Sequence, residues 1–228
     1  MPRELKVEAI QSSFSLKEHI YAVLKDGISE MNIYADDAQL KLDERQLAEQ
    51  LNISRTPIRE ALARLEQEGL VTVVPRRGVY IARKTKEEIL EMITVWAALE
   101  SMAARLITLN ASDEKIASLR KLFTSFENEQ VQASIDEYSD RNIEFHQSIL
   151  EISGCALLKR TAEGLFLHMR GIRARTIGEN DRAKRSIIDH MHIIEALEQR
   201  DTELAERLVR EHTLCLAAHV EKHVDYLT

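Results

Sequence analysis

Hydrophobic residues recur at helical spacing over the first third of the chain, in three separate stretches. Apolar positions repeat every three or four residues over 15–31, which predicts a helix capped by a serine. The polar stretch 32–42 predicts a loop. Asp43 then opens a short helix with a capping-box pattern, and Ser54 caps a third helix that ends at Gly69.

After residue 69 the spacing of apolar positions changes from helical to strand-like. Residues 70–74 and 79–81 are short β-branched runs, and the Pro-Arg-Arg-Gly sequence between them predicts a tight turn. Three helices followed by a hairpin outline a winged helix-turn-helix. Residues 1–14 carry no periodic pattern and are expected to form a loose arm.

Beyond Lys84 the strand pattern does not return, and six amphipathic segments follow with short connections. They are predicted as helices at 86–109, 112–132, 135–153, 155–178, 182–199 and 202–225. Ser112 and Asp201 are predicted N-caps. Short connections favour an antiparallel bundle. The predicted fold class is mainly α, with an N-terminal winged helix-turn-helix over 15–83 and a six-helix antiparallel bundle over 84–228.

The composition agrees with a helical, globular protein. Of the 228 residues, 44% are hydrophobic and 30% are charged, which is enough apolar material for a sizeable core. Seven Gly and three Pro are too few for the turns of a sandwich or barrel. Cys155 and Cys215 show no disulfide or metal spacing, which favours a reducing compartment. Without a secretion signal or a long uncharged apolar run, the sequence predicts a cytoplasmic protein that does not span a membrane.

The net charge of −7 is distributed unevenly along the chain. Residues 38–84 carry nine Lys or Arg against six Asp or Glu, a net charge of +3. Residues 85–228 carry 18 basic residues against 25 acidic ones, a net charge of −7. A basic segment on an acidic body is typical of a DNA-reading module joined to a regulatory domain. A solvated charged surface is the alternative interpretation.

Basic and polar residues gather at the start of the third predicted helix. Arg55 and Arg59 are four residues apart and share a face roughly opposite the apolar stripe. In a helix-turn-helix this helix start enters the major groove, where Arg pairs with guanine O6 and N7. Hydroxyls and backbone N–H groups there suit phosphate oxygens, and the hairpin tip can reach the minor groove. The candidate DNA contacts are Arg45, Ser54, Arg55, Thr56, Arg59, Arg76, Arg77 and Gly78.

Four motifs between Leu42 and Ile81 carry a family resemblance. They read ERQLA at 44–48, SRTPIREAL at 54–62, LEQEGL at 65–70 and RGVYI at 77–81. This run resembles the GntR family of bacterial transcription regulators. The resemblance implies that operator DNA is contacted by Arg45, Arg55, Thr56, Arg59 and the glycine at the wing tip. It also implies a homodimer on a palindromic double-stranded operator.

Three of the eight histidines stand out because each lies on the apolar stripe of a different predicted helix. They are His146, His190 and His212. Asn142 lies four residues before His146, so both side chains project from one helix face. Imidazoles from three helices that meet in a bundle core would form a site for a divalent metal such as zinc or nickel. Satisfied core histidines without a metal are the structural alternative.

Residues 85–228 resemble the FCD ligand-binding domain of the FadR subfamily, and six helices suit its vanillate-regulator-like branch. The resemblance implies a divalent metal held by an Asp, a His four residues later and two further His. The matching residues are Asn142, His146, His190 and His212. Here an asparagine replaces the usual Asp and offers a neutral, weaker ligand. The implied effector is a small carboxylate, and we expect it to pair with Arg170, Arg173 or Arg175 on the fourth bundle helix.

The leading hypothesis is a DNA-binding regulator, a metabolite-responsive repressor that senses a small carboxylate at a metal-containing site. Effector binding is expected to change the separation of the two recognition helices in the dimer. A metal-dependent hydrolase is one alternative, since three His with an open position also describe a hydrolytic zinc site. Against it, the sequence has no HExxH motif, and Glu144 points away from the face of His146. A metal-free bundle that serves dimerisation alone is the other alternative.

Overall fold

Hydrophobic spacing dictates the elements of the fold, as a computed structural model of the protein shows for residues 16–124 and 135–227. The arm predicted over 1–14, the N-cap predicted at Ser15 and residues 125–132 of the helix predicted over 112–132 lie outside these described residues. Within the described residues that helix ends at Lys121, earlier than predicted. The chain divides into two compact units, each with its own interior.

Of the described residues, the first unit contains Leu16–Glu30 together with Leu40–Ala82. Its described elements are α1 (Leu16–Glu30), β1 (Lys41–Leu42), α2 (Glu44–Gln50), α3 (Arg55–Gln67), β2 (Val71–Val74) and β3 (Gly78–Ile81). β3 lies between β1 and β2 and is antiparallel to both. This is the predicted winged helix-turn-helix, with the β2–β3 hairpin as its wing, and that part of the predicted fold is confirmed.

α3 supplies much of the core of this unit. Ile58, Leu62 and Leu65 follow one stripe of the helix and are almost completely buried, and α1 packs against it. Gly69 ends the helical stretch with a φ of 73°, a left-handed conformation that favours glycine. At the start of α2, the carboxylate of Asp43 accepts hydrogen bonds from two backbone N–H groups, as the capping pattern predicts.

β1 lies inside the stretch that the sequence predicts as a loop. Lys41 and Leu42 pair with Tyr80 and Val79 at the edge of β3. A strand of two residues is too short to show an alternation of apolar and polar side chains. Its position is set by backbone pairing to the open edge of the hairpin, which the side-chain pattern does not reveal.

Of the described residues, the second unit contains Met31–Gln39 and those from Arg83 onward, and six helices lie among them. They are α4 (Lys86–Asn110), α5 (Asp113–Lys121), α6 (Ile135–Ile152), α7 (Ala156–Thr176), α8 (Arg182–Glu198) and α9 (Thr202–His223). α4 is the central helix and packs against α6, α7 and α9. The predicted six-helix bundle is thus confirmed. By length and composition α4 could cross a membrane, but half of its most apolar stretch is buried in the bundle, as in a core helix.

The segment 31–39 packs with the bundle, although the sequence pattern groups it with the winged helix. Ile33 and Tyr34 are buried against α7, where Gly171 leaves room for the tyrosine ring. The side chain of Arg83 donates to the backbone oxygen of Ile33 at 2.7 Å. Two apolar side chains in a short polar stretch show no period, so the pattern did not predict that the segment is anchored here.

Candidate functional site

Two arginines at the start of α3 share one carboxylate. Arg55 Nη2 and Arg59 Nε donate to the same oxygen, Oε2 of Glu44 on α2, at 3.0 and 2.7 Å. The hydrogen bond from Arg59, with help from Arg55, holds the pKa of Glu44 below its usual value. Both guanidiniums stay more than half exposed. Glu44 therefore orients the two predicted base-reading side chains, a role that the sequence analysis did not assign.

The remaining polar candidates of the helix-turn-helix lie on the same surface. Ser54 takes the N-cap position of α3 with an extended backbone, and its side chain makes no capping hydrogen bond. Thr56 is exposed beside it. Arg45 is exposed and pairs with Glu49 at 2.9 Å, a surface pair of small energetic value. Arg45, Ser54 and Arg55 line one shallow cavity of about 480 Å³.

The other three candidates form a separate group at the tip of the wing. Arg76 and Arg77 lie in the turn between β2 and β3, Gly78 is the first residue of β3, and all three are exposed. Gly78 has a φ of 116°, which a residue with a Cβ rarely adopts. The structure therefore brings the eight predicted residues together as two groups, one on α2 and α3 and one on the hairpin.

Three histidines from three helices meet in the core of the second unit. His146 of α6, His190 of α8 and His212 of α9 each offer a ring nitrogen, and these nitrogens all lie within 4.8 Å of one another. The Nε2 atoms of His190 and His212 are 3.1 Å apart. All three side chains are buried. The structure thus assembles the histidines that their spacing singled out, and we call them the His cluster.

Asn142 lies one helical turn before His146, and its side chain is also buried. Its Oδ1 has no hydrogen-bond partner among the described residues. A buried polar atom without a partner costs roughly 1–3 kcal/mol, so native structures contain few of them. This oxygen is therefore available as a ligand on the same helix face as His146.

Neighbouring groups fix the proton on two of the three rings. Arg173 Nη1 lies 2.6 Å from His146 Nε2, and because a guanidinium can only donate, this Nε2 carries a lone pair. His146 Nδ1 then holds the proton and donates to Glu100 Oε1 at 2.6 Å. Likewise, His212 Nδ1 donates to Asp189 Oδ2 at 3.0 Å. Carboxylates placed behind imidazoles orient metal-ligating histidines in the same way.

Burial keeps the His cluster neutral. It lowers the pKa of His146 and His190 well below 6.5, and nearby charges, including Arg173, lower both pKa values further. Burial also lowers the pKa of His212, although the hydrogen bond to Asp189 opposes this shift. Neutral imidazole is the form that ligates a metal ion.

A buried ion pair supports the cluster. Arg173 Nη2 lies 3.6 Å from Oε2 of Glu100, a residue of α4 with no exposed surface. Thr213 Oγ1 donates to the same oxygen at 2.6 Å. Burial raises the pKa of Glu100, and the charge of Arg173 opposes that shift. Through these contacts Glu100 links α4 to the three helices that carry His146, Arg173 and Thr213.

Glu100, Thr213 and Asp189 are site residues that the sequence analysis missed. Glu100 lies 46 residues before His146, and no local motif marks it. Asp189 and Thr213 are sequence neighbours of His190 and His212, but their partners are His212 and Glu100 on other helices, and the sequence does not reveal that pairing. Glu100 did carry one usable signal, because it lies three residues after Ala97 and four before Ala104, on the buried stripe of α4. A carboxylate on an apolar stripe is expected to have a buried partner.

Of the three arginines predicted on α7, the structure brings Arg173 into the His cluster. Arg175 instead pairs with Asp36 at 2.8 Å and lies against the ring of Tyr226. Arg170 is half-buried on the same helix.

The donor set of the cluster fits a divalent metal ion. Three neutral imidazoles and the unpartnered oxygen of Asn142 make four neutral ligands, the number that zinc most often takes. Nickel and other borderline metals also accept imidazole. Glu144 is partly exposed and pairs with Arg141 at 2.7 Å on the outer side of α6, so it does not serve as a general base at this site.

Comparisons with known proteins place both units in families. Residues 16–81 match the gntR family of bacterial regulatory proteins, and residues 91–214 match the FCD domain. The Nta operon transcriptional regulator of Aminobacter aminovorans is 32% identical over 187 residues, which cover 82% of this chain and 84% of that protein. The HTH-type transcriptional repressor RspR of Escherichia coli strain K12 is 25% identical over 201 residues, 86% of this chain and 85% of that one.

A solved structure shares the fold. E. coli McbR/YncC matches with a TM-score of 0.73 at 24% identity, over 93% of this chain and 100% of that chain. A winged helix-turn-helix joined to an FCD bundle defines a DNA-binding transcription regulator, and these families and relatives are regulators, not enzymes. The chain belongs to the GntR family of bacterial transcription regulators, and its helical unit is an FCD domain.

Proposed function

We propose that this protein is a metabolite-responsive repressor, whose affinity for operator DNA changes when a small carboxylate binds at a metal-containing site in the helical bundle. The observation that carries the proposal is the buried His cluster beside the unpartnered Oδ1 of Asn142. The E. coli relative RspR is named a repressor, which supports this direction of regulation.

In this proposal the metal is held by His146, His190 and His212 through ring nitrogens and by Asn142 through Oδ1. A bound divalent ion would supply a Lewis-acid centre that attracts a carboxylate. Glu100 accepts the Nδ1 proton of His146, and Asp189 accepts the Nδ1 proton of His212. The Nε2 atoms of both rings are thereby left unprotonated and directed toward the metal.

Among the predicted effector arginines Arg170, Arg173 and Arg175, the contacts favour Arg173. Its Nη1 donates to His146 Nε2 at 2.6 Å. When that nitrogen serves as a ligand, the guanidinium needs another acceptor, and an effector carboxylate provides one. Arg175 is already paired with Asp36.

The DNA-binding unit would dock with the start of α3 in the major groove and the wing tip at the minor groove. The assigned contacts are Arg45, Ser54, Arg55, Thr56, Arg59, Arg76, Arg77 and Gly78. Two copies of the chain would bind a palindromic operator as a homodimer in the cytoplasm.

α7 offers a route from the effector site to the DNA-binding unit. Arg173 contacts the His cluster, while His168 and Gly171 of the same helix contact Tyr34. The segment 31–39 continues into α1 at one end and β1 at the other. A shift of α7 that reorients Arg173 would therefore move this segment and change the separation of the recognition helices in the dimer.

The metal site is tested with Asn142→Asp. A carboxylate is a stronger ligand than an amide, so we expect this variant to bind zinc at least about tenfold more tightly than the wild type, and Asn142→Ala to bind it more weakly. Chelator competition measures the affinity, and native mass spectrometry counts ions per dimer. Asn110→Asp, at the exposed end of α4, is the matched control. If the wild type and all the variants bind no metal, the proposal is wrong and the bundle serves dimerisation alone.

Regulation is tested on operator DNA selected from random duplexes. Small acids should change the affinity of the metal-loaded protein for that DNA. If no acid has an effect, metabolite sensing is excluded.

A further inference from the structure

A cavity of about 480 Å³ lies between α8 and α9, and the side chain of His212 forms part of its wall. Three cationic side chains line it, from Arg182 and Arg185 on α8 and Lys222 on α9. Asp189 is the carboxylate among the lining residues. The volume is in the range of pockets that hold small metabolites.

The three cations of this cavity have no carboxylate partner in the described parts of the chain. Arg185 Nη2 donates to the backbone oxygen of Asn180 at 2.8 Å, and Arg182 Nη1 donates to the hydroxyl of Thr176. Asp189 is occupied by its hydrogen bond to His212. Cations that form no ion pair and face one cavity favour an anionic ligand.

The arrangement of the helices reinforces this preference. Arg182 and Arg185 are three residues apart, so they share one face of α8, and Lys222 faces them across the cavity from α9. Arg182 is the first residue of α8, where the helix dipole also favours negative charge. Burial, together with the nearby charge of Arg173, lowers the pKa of Arg182 to about 10. The charge of Glu179 opposes this shift, so the guanidinium is a partly desolvated cation with charges of both signs nearby.

The His cluster next to the cavity is neutral and does not offset the positive charge of the cavity. Its one buried ion pair joins Arg173 to Glu100 and is neutral as a whole. Asn142 is a neutral ligand, so it cancels none of the charge of a divalent ion. Three cations against the one carboxylate of Asp189 leave two positive charges in the cavity lining, and a ligand that balances them brings two or more negative charges.

We propose that the cavity between α8 and α9 binds a small organic anion with two or more negative charges, which pair with Arg182, Arg185 and Lys222. This assignment rests on the proposed function and specifies its effector class as an oligocarboxylate or a phosphorylated acid. It adds cations of α8 and α9 to the recognition of charge that is proposed for Arg173 on α7.

Butyrate, succinate and tricarballylate test the charge requirement, because they are similar short chains with one, two and three carboxylates. Calorimetric titration of the full-length protein at constant ionic strength should give at least about tenfold tighter binding for succinate than for butyrate, and no weaker binding for tricarballylate. Inorganic phosphate is the fourth probe. Binding comparable to that of succinate would support a phosphorylated ligand, and markedly weaker binding would support a carboxylic one. Equal affinity for butyrate and succinate would overturn the proposal.

Arg185→Gln and Lys222→Gln test the residues, and both side chains are exposed, so the fold should survive. Each variant should lose about tenfold in succinate affinity with little change in butyrate affinity. Lys184→Gln, an exposed residue of α8 outside the cavity lining, is the matched control and should bind like the wild type. Wild-type affinity in both cavity variants would assign the anion to another site.

These titrations are repeated on zinc-loaded and chelator-treated protein, with operator affinity measured in parallel. If succinate binding depends on Arg185 but operator affinity never changes, the cavity assignment stands and the proposed function fails. If operator affinity responds to an acid equally in the wild type and in Arg185→Gln, the proposed function stands and the cavity assignment fails.

Discussion

Tyr34 and His168 form a buried hydrogen bond in the second unit, with 2.8 Å between the hydroxyl and Nδ1. Burial lowers the pKa of His168 from 6.5 to about 4, and Lys84 adds to the shift. Burial also raises the pKa of Tyr34 to about 12. At neutral pH the contact therefore joins two uncharged groups, and a proton added to His168 would be a buried charge.

The shifted pKa of His168 predicts a loss of stability in mild acid. Between pH 6.5 and about 4 the unfolded chain binds a proton at this residue that the folded protein does not, so the free energy of unfolding falls as the pH falls. The contribution of His168 to this loss is about 3 kcal/mol. Urea unfolding measured from pH 7.5 to 4.5 should show that the free energy of unfolding falls less steeply with falling pH for His168→Gln than for the wild type. The exposed residue His192 provides the control, because His192→Gln should keep the wild-type slope; identical slopes for both variants would contradict the prediction.

The residues of the site differ in how readily the sequence predicts their roles. His146, His190 and His212 could be predicted because each interrupts an apolar stripe with a side chain that ligates metals. Glu100 and Asp189 could not, since each holds the ring of a histidine on another helix. Their identity depends on which helices are neighbours, which is a property of the folded bundle.

α7 contacts both the His cluster and the segment 31–39. Arg173 contacts the His cluster, and Gly171 lies under the ring of Tyr34. A Cβ at Gly171 would lie 2.7 Å from Cδ2 of Tyr34, closer than two carbon atoms can approach. The absence of a side chain at this position is therefore what lets the segment 31–39 lie against the helix.

Two glycines of α7 give a matched pair of substitutions. Gly171→Ala should destabilise the protein by about 1–3 kcal/mol, because the buried tyrosine ring has to move. Gly164→Ala should stabilise it by about 0.5–1 kcal/mol, because a Cβ there meets no atom within 4 Å and alanine is the better helix former. Thermal and urea unfolding measure both effects. If both variants shift stability in the same direction, the close packing against Tyr34 is not what constrains Gly171.

Among the elements, the helices were predictable and the shortest strand was not. The helices of the bundle follow a period that needs no knowledge of their neighbours, and they begin close to the predicted positions. They also end close to them, except for α5, which ends at Lys121 although the pattern predicts a helix to residue 132. β1 forms because the edge of β3 is open for backbone pairing. The segment 31–39 packs against α7 because Gly171 leaves space for the ring of Tyr34. Both depend on a partner distant in sequence.

At the scale of the whole molecule, the charge distribution sets how the protein responds to salt. The net charge is −7, so binding to a polyanion depends on the local positive charge of residues 38–84. Each cation that neutralises a phosphate releases counter-ions, and operator affinity should fall steeply as the salt concentration rises.

Arg77→Ala, at the wing tip, should weaken operator binding and make its salt dependence less steep. The slope of log affinity against log salt should decrease by about 0.9 for each copy of the chain on the duplex. Fluorescence anisotropy between 50 and 200 mM salt, a range over which the change is large, measures it. Lys17→Gln removes the same charge from the exposed surface of α1 and should leave the slope unchanged. An unchanged slope in Arg77→Ala would remove the wing from the set of phosphate contacts.

The membership of segment 31–39 in the second unit has a consequence for building hybrid regulators. A hybrid is commonly made by joining the DNA reader of one protein to the sensor of another at a single crossover. A crossover after Ala82 would carry Ile33 and Tyr34 onto a foreign helix that lacks their glycine and histidine partners. The exchangeable module is therefore discontinuous, and a sensor transplanted from this protein has to bring its own nine-residue segment Met31–Gln39 with it.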